Sequence, residues 1–259
     1  MKRYQPIAKL VLVGILLAAC NAAPRTTPSA AIAPTHTIAT AIPTVPFTTT
    51  ATSATTPTNM NTLTQQLIVA AEADNVPSIK RLLAQGANIN KQDARGRTPV
   101  MAATQANQVN AVRALIEAGA DINIRDNRND NPFLYAGAEG LLNILKLTIA
   151  AGADTKLTNR FGGTALIPAC ERGHVEVVTE LLTHTDVDVN HVNNLGWTAL
   201  LEAIILSDGG PRHQQIVRLL LAHGADITIA DKDGVTPLQH ANLRGFHVIE
   251  QILVQHRSK

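Results

Sequence analysis

Bulky rings are scarce in this chain: four Phe, two Tyr and one Trp among 259 residues. That excludes a large single core built around aromatic side chains, so burial must come from Leu, Ile, Val and Ala. There are two cysteines, Cys20 and Cys170, which excludes a framework of several disulfides. Charged residues make up 16% and the formal net charge is +2, with a pI near 8.6. So small an excess supports nucleic-acid binding only if it lies in the part that folds. The first apolar run, Leu10 to Leu17, is far shorter than the roughly 20 residues of a spanning helix.

That run is preceded by Lys2, Arg3 and Lys9 and followed by Leu17-Ala18-Ala19-Cys20. A basic leader, a short apolar core and small residues before a cleavage point describe an export signal over residues 1–19. The small-small-Cys ending resembles the lipobox of bacterial lipoproteins, which implies that Cys20 is the lipidated first residue of the mature chain. An uncleaved membrane anchor with an incidental cysteine is the competing reading. Asn21 stands where the Asp that retains lipoproteins at the inner membrane would stand. The resemblance therefore places the protein in a bacterial cell envelope, facing outside the cytoplasm, and on the outer membrane where there are two.

Residues 21–62 hold 14 Thr, 9 Ala and 6 Pro, with Arg25 as the sole full charge. Such a segment buries too little apolar surface to offset its conformational entropy, so residues 20–62 read as a lipidated cysteine and a disordered linker. Its reach is roughly 35 Å as a flexible coil and about 130 Å in polyproline form. The Thr-rich composition also suits O-glycosylation. Beyond residue 62 stand 18 basic and 20 acidic residues, so the folding part is slightly acidic and nonspecific phosphate binding loses its motive. With Cys20 lipidated, Cys170 has no partner for an internal disulfide.

From residue 63 to 259 the chain repeats itself. Gly86, Gly119 and Gly152 are spaced by 33 residues within Gln-Gly-Ala-Asn and two Ala-Gly-Ala-Asp segments, and Gly224 repeats the pattern. Thr98-Pro99, Asn131-Pro132, Thr164-Ala165, Thr198-Ala199 and Thr236-Pro237 form a second series in the same phase. Ala70, Ala103, Ala136, Ala169, Ala203 and Ala241 form a third. Thr and Asn suit N-caps, and Pro at the first helical position loses no hydrogen bond. The aligned alanines let one helix approach its neighbours closely. Apolar pairs such as Leu82-Leu83, Leu115-Ile116 and Leu181-Leu182 give a second helix its buried face, and the glycines suit its left-handed cap. Each unit is a helix pair too small to stand alone, and stacking gives the units a shared core.

These residues resemble the ankyrin repeat, with its Gly-x-Thr-Pro-Leu start and Leu-Leu-x-x-Gly-Ala-Asp end. Gly234 to Leu238 and Leu220 to Asp226 match it almost fully, and Gly173-His174 with Val177-Val178 fits between them. The resemblance implies an all-α ankyrin-repeat solenoid of about six stacked helix-turn-helix units joined by hairpin turns: 63–97, 98–130, 131–163, 164–197, 198–235 and 236–259. The first unit lacks the Thr-Pro start and the last stops after one helix pair, as expected of end caps with polar outer faces. The fourth has Thr185-Asp186-Val187-Asp188 in place of Gly-Ala-Asp, which leaves its exit turn open. The fifth carries an extra Ser207-Asp208-Gly209-Gly210-Pro211-Arg212-His213, expected as a loop between its helices.

No catalytic constellation stands out, so the chain reads as no enzyme, with no cofactor and no metal site. Cys170, beside Ala169, reads as a buried structural thiol. His184 and His223 fall near second-helix ends, and His174 and His247 near second-helix starts. Asp93, Asp126, Asn159, Asn193 and Asp231, one per unit, read as turn residues. The resemblance implies a groove for partners, formed by the turn tips and the exposed side of the first helices. Carried over by position, it comprises Arg95, Arg97, Arg125, Arg128, Asp130, Arg160, Phe161, Leu195, Trp197, Lys232 and Asp233, flanked by Glu171 and Arg172. Exposed Trp, Phe and Arg dominate interface hot spots, and the arginines from Arg95 to Arg160 form a basic stripe. For Trp197 the competing reading is packing against the adjacent turn, and for the arginines a solvated edge.

The expectation is a lipid-anchored, extracytoplasmic, monomeric module. It binds an unknown protein whose surface is acidic and partly apolar, touches the membrane through Cys20, and binds no nucleic acid. A scaffold or adaptor role competes with an immunity or inhibitor protein that blocks a toxin or enzyme. A hydrolase or carbohydrate-binding activity on the stack, for which the insertion offers only Asp208 and His213, is a third reading.

Overall fold

A computed structural model describes residues 57–257, with side chains described from residue 62. The export signal, Cys20 and most of the linker lie outside the described residues. Among the described residues there are twelve helices and no strand, paired as α1 (Pro57–Glu72) with α2 (Val76–Ala84), α3 (Pro99–Gln105) with α4 (Val109–Glu117), and α5 (Pro132–Glu139) with α6 (Leu142–Ala150). The series continues with α7 (Leu166–Glu171) and α8 (Val175–His184), α9 (Ala199–Ile205) and α10 (Pro211–Ala222), α11 (Pro237–Leu243) and α12 (His247–Arg257). Each odd helix packs on the next odd helix and each even helix on the next even one, giving two helical layers. The first helix begins at Pro57, ahead of the boundary drawn at residue 63.

The short odd helices are far below the length at which an isolated helix holds in water. Stacking stabilises them. Ala103, Ala136, Ala169, Ala203 and Ala241 are fully buried, and around them lie Val100, Phe133, Leu166, Leu200 and their neighbours. Each such Leu, Ile or Phe contributes about 1.5–3 kcal/mol on burial. The packing is close enough that a Cβ on Gly137 would lie 2.8 Å from the Cβ of Ala165. Cys170 is fully buried in this layer, and burial pushes its thiol well above the usual range.

Helix starts follow the expected chemistry with one exception. Thr98, Asn131, Thr198 and Thr236 each accept from the backbone N–H three residues on, at 3.3, 2.8, 3.2 and 3.3 Å. Thr164 does not cap α7, and its hydroxyl is buried without a partner. The reason is Pro168, four residues on. In the other units that residue's N–H donates to the cap carbonyl, as Ala102 does to Thr98 at 2.9 Å, and Pro has no N–H to give. The helix accordingly starts later, at Leu166.

Second helices end at Gly86, Gly119, Gly152 and Gly224, with φ between 79 and 90°, and the following alanine N–H reaches back into the last turn. The fourth unit solves its missing glycine differently. The Thr185 hydroxyl donates to the Leu181 carbonyl at 2.6 Å and accepts from the Val187 N–H at 3.3 Å, ending α8 in extended backbone. The insertion also differs from a simple loop. Pro211 takes the first helical position and, with Arg212 and His213, opens the twelve-residue α10, so only the stretch before Pro211 is loop.

Side chains near the start of the second helix tie the second, fourth and fifth units to the unit before at one recurring place. Gln108 donates to the Glu72 carbonyl at 3.2 Å, and His213 bonds the Glu171 carbonyl at 3.0 Å. His174 bonds the matching carbonyl of Ala138, and burial lowers its pKa. At the C-terminal end Leu243 is 74% exposed and Val248 43%, so that outer face is less polar than an end cap was expected to be.

Candidate functional site

Five hairpin turns project from the starts of the odd helices from α3 to α11, and one residue builds each. Asp93 Oδ1 accepts from the N–H groups of Arg95 and Arg97 at 2.8 and 2.9 Å. Asp126, Asn159, Asn193 and Asp231 do the same for their own turns at 2.8–3.1 Å. These side chains are turned inward and spent on the backbone. Bonds between units then join the turns into a row: Asn127 N–H to the Arg95 carbonyl at 3.1 Å, Asn194 N–H to the Phe161 carbonyl at 3.0 Å, and Lys232 Nζ to the Asn194 carbonyl at 2.5 Å.

The second polar atom of each turn residue also meets a side chain, with one exception. Asp93 Oδ2 takes Arg97 at 2.8 Å, Asp126 Oδ2 takes Gln105 Nε2 at 3.4 Å, and Asp231 Oδ2 meets His240 Nε2 at 2.7 Å. Asn193 Nδ2 donates to Glu202 Oε1 at 2.7 Å. Glu202 is 5% exposed, and burial first, then the neighbouring Glu171, push its carboxyl up to about 7. In the fourth unit the matching side chain is that of Pro168, which offers nothing to Asn159 Nδ2.

The thirteen candidate residues divide by environment. Arg97 is the clear departure from the expected groove: it is 5% exposed and bridges Glu72 and Asp93 at 2.8 Å each while donating to Gln105. It is part of the fold, because Glu72 at the end of α1 closes over it. Arg95 and Arg128 have side chains 68% and 57% exposed, with only loose contacts of 3.7–3.8 Å to carboxylates. Arg125 donates to the Thr158 carbonyl at 3.2 Å. The Arg160 guanidinium lies 4.7 Å from the centroid of the Phe161 ring, an arrangement that favours cation–π attraction. Phe161 is 55% and Leu195 51% exposed, on adjacent tips, whereas Trp197 is half-buried. Lys232 and Asp233 are exposed at the last tip.

Six of the thirteen, Arg128, Asp130, Arg160, Phe161, Glu171 and Arg172, line one hollow of about 90 Å³ between the third and fourth units. Tyr135, Ala138, Glu139 and Pro168, which sequence reasoning missed, and Asn159, read there as a turn residue alone, complete its wall. The signal for two of them was the position four residues after each cap, where Ala102, Tyr135, Pro168, Glu202 and His240 differ in every unit. Arg172 pairs with Glu139 at 2.6 Å and with the Ala138 carbonyl at 2.8 Å. Burial, then the nearby Asp126, hold the Asp130 carboxyl above its usual range, and Arg128 and Arg160 oppose that.

The insertion brings Asp208 Oδ1 within 3.2 Å of His213 Nδ1 while His213 Nε2 meets the Glu171 carbonyl. Both ring nitrogens are thereby engaged in holding the loop. Among the described residues no group of three or more His, Cys, Asp or Glu could hold a metal ion, and no helix is long and apolar enough to cross a membrane.

A stack of helix pairs with inward-turned Asx residues and a row of projecting hairpins is a repeat scaffold for protein interaction. The chain belongs to the ankyrin-repeat family: a family model of ankyrin repeats (3 copies) matches residues 67–159 and again 133–231. It is similar to the putative ankyrin repeat protein YahD of Escherichia coli, 44% identical over 196 residues that cover 76% of this chain and 98% of that protein. Among solved structures, an ankyrin repeat domain from Acinetobacter baumannii is 57% identical with a TM-score of 0.71, over 73% of this chain and 96% of that one. The ankyrin repeat domain of Bcl-3, a member of the IkappaB protein family, is 25% identical with a TM-score of 0.67, over 74% and 85% of the two chains.

Proposed function

We propose that this chain is an extracytoplasmic protein-interaction module, held at a bacterial envelope membrane by a lipid on Cys20, that captures a partner protein on its turn tips and first helices and carries out no reaction of its own. The observation that supports the binding face is the pairing of Phe161 and Leu195, both more than half exposed on bonded neighbouring tips, with Arg160 stacked on Phe161 and Arg128 and Arg95 on the two preceding tips. The carboxylates of Asp93, Asp126 and Asp231 are turned onto backbone N–H groups, so Arg95, Arg128, Arg160 and Lys232 outnumber the exposed Asp233 along the row of tips. An acidic partner surface with an apolar centre complements it. The export signal, the small-small-Cys ending and the Thr/Pro-rich tether support the location.

The test is capture of envelope proteins by the full chain in detergent, compared with the double variant Phe161→Ala, Leu195→Ala. Hot-spot truncations typically cost ~2 kcal/mol or more, so capture should fall at least about tenfold while melting stays within a few degrees. Undiminished capture would move the interface off the tips. A captured toxin would assign the chain an inhibitory role, and a captured envelope enzyme or complex a scaffolding one.

A further inference from the structure

The hollow between the third and fourth units has the polarity of a site for a neutral amide. Its charges cancel, with Arg128, Arg160 and Arg172 against Asp130, Glu139 and Glu171. Two polar groups in its wall are unmet among the described residues. Asn159 Oδ1 is fixed by accepting from the Phe161 and Gly163 N–H groups at 2.9 and 3.1 Å, so the free end of this amide is the Nδ2 donor. In the other four turns the corresponding atom is tied to Arg97, Gln105, Glu202 or His240. Here Pro168 leaves it open. The second group is the Glu171 carboxylate, which no hydrogen bond or ion pair reaches among the described residues.

We propose that this hollow receives a glutamine or asparagine side chain of the partner, its carbonyl oxygen accepting from Asn159 Nδ2 and its NH₂ donating to Glu171. This rests on the reading of the tips and first helices as the binding face. A carboxamide is the one common side chain that offers an acceptor and two donors without charge. A carboxylate meets repulsion at Glu171, a lysine has nothing for Asn159 Nδ2, and a leucine leaves both groups desolvated and unpaired. A space of about 90 Å³ is the size of one such side chain, and the Arg160–Phe161 stack forms its lip.

The experiment titrates the full chain, in detergent micelles, with short blocked peptides Gly-Gly-X-Leu-Gly-Gly in which X is Gln, Glu, Lys or Leu, and follows the Asn159 side-chain amide by NMR. The Gln peptide should shift that resonance and bind about tenfold or more tighter than the other three. Two variants keep the fold and remove the site. Asn159→Asp retains the turn acceptor, as Asp93, Asp126 and Asp231 do, but replaces the donor by a carboxylate. Pro168→Glu recreates the Asn193–Glu202 pair and occupies the donor from within. Both should lose the Gln preference while melting like the parent chain. Equal binding of the Gln and Leu peptides, a preference for Glu or Lys, or a preference that survives Asn159→Asp would overturn the proposal. The two readings fail separately. Partner capture lost with Phe161→Ala, Leu195→Ala but no Gln preference refutes the hollow alone, and capture indifferent to those changes and to Asn159→Asp refutes the binding face as well.

Discussion

Replacing Glu202 by Gln should stabilise the protein, and the gain should depend on pH. The side chain is 5% exposed, accepts from Asn193 at 2.7 Å, and has Glu171 as its charged neighbour. Burial and that neighbour raise its carboxyl from 4.5 to about 7 in the fold. The folded chain therefore holds a proton that the unfolded chain releases. Stability from this group is complete below pH 4.5 and is lost as pH climbs through 7, to a ceiling of about 3 kcal/mol at 1.36 kcal/mol per pH unit. Glu202→Gln keeps the acceptor for Asn193 and removes the ionisation. Melting followed by circular dichroism should show the two proteins alike at pH 4 and the variant higher at pH 8. With about 2–4 °C per kcal/mol for a domain of this size, the ceiling is roughly 6–12 °C. Glu171→Gln should recover a smaller part, because burial precedes the Glu171 charge among the causes. A variant no more stable than the parent at pH 8, or offset equally at both pH values, would refute the account of a desolvated carboxyl.

Arg97→Ala should lower stability by about 3 kcal/mol, because it strips the nearly buried Asp93 and the partly exposed Glu72 of their counter-ion. Urea denaturation measures that loss, and partner capture per folded molecule should be unchanged, since Arg97 is buried. Cys20→Ser should abolish labelling by a fatty-acid analogue and release the protein from membranes. A label that persists would remove the lipid anchor from the proposal.

Most of the architecture was readable because it repeats at short range. Caps, prolines, the alanine series and the glycine ends each follow from residues a few positions apart, and their common phase gave the helix pairs. What was missed depends on residues distant in sequence or on one local substitution. Arg97 reads as a tip arginine until Glu72, 25 positions earlier at the end of α1, is seen beside it. Thr164 reads as a cap until the missing N–H of Pro168 is counted. Pro211 reads as a loop residue when the insertion is taken as one block, yet it stands at a helix start, where proline fits. The hollow needs α5 laid against α7 and the turn that leads into it, a juxtaposition the period implies but does not populate. Trp197, the most conspicuous residue in the sequence, is half-buried, and its turn gives the greater exposure to Leu195.

Two adjacent positions in the repeat carry opposite constraints. Ala103, Ala136, Ala169, Ala203 and Ala241 are held to one methyl group by the stacking of the odd helices. The residues just before them, Ala102, Tyr135, Pro168, Glu202 and His240, share no chemistry at all, and the fold accepts each because the turn beside it either finds a different partner or does without one. That column works as an address written one letter per unit. Five letters next to an unvarying row of alanines let point changes decide what each turn residue leaves free for a partner, even though Ala102, Pro168 and Glu202 are themselves buried.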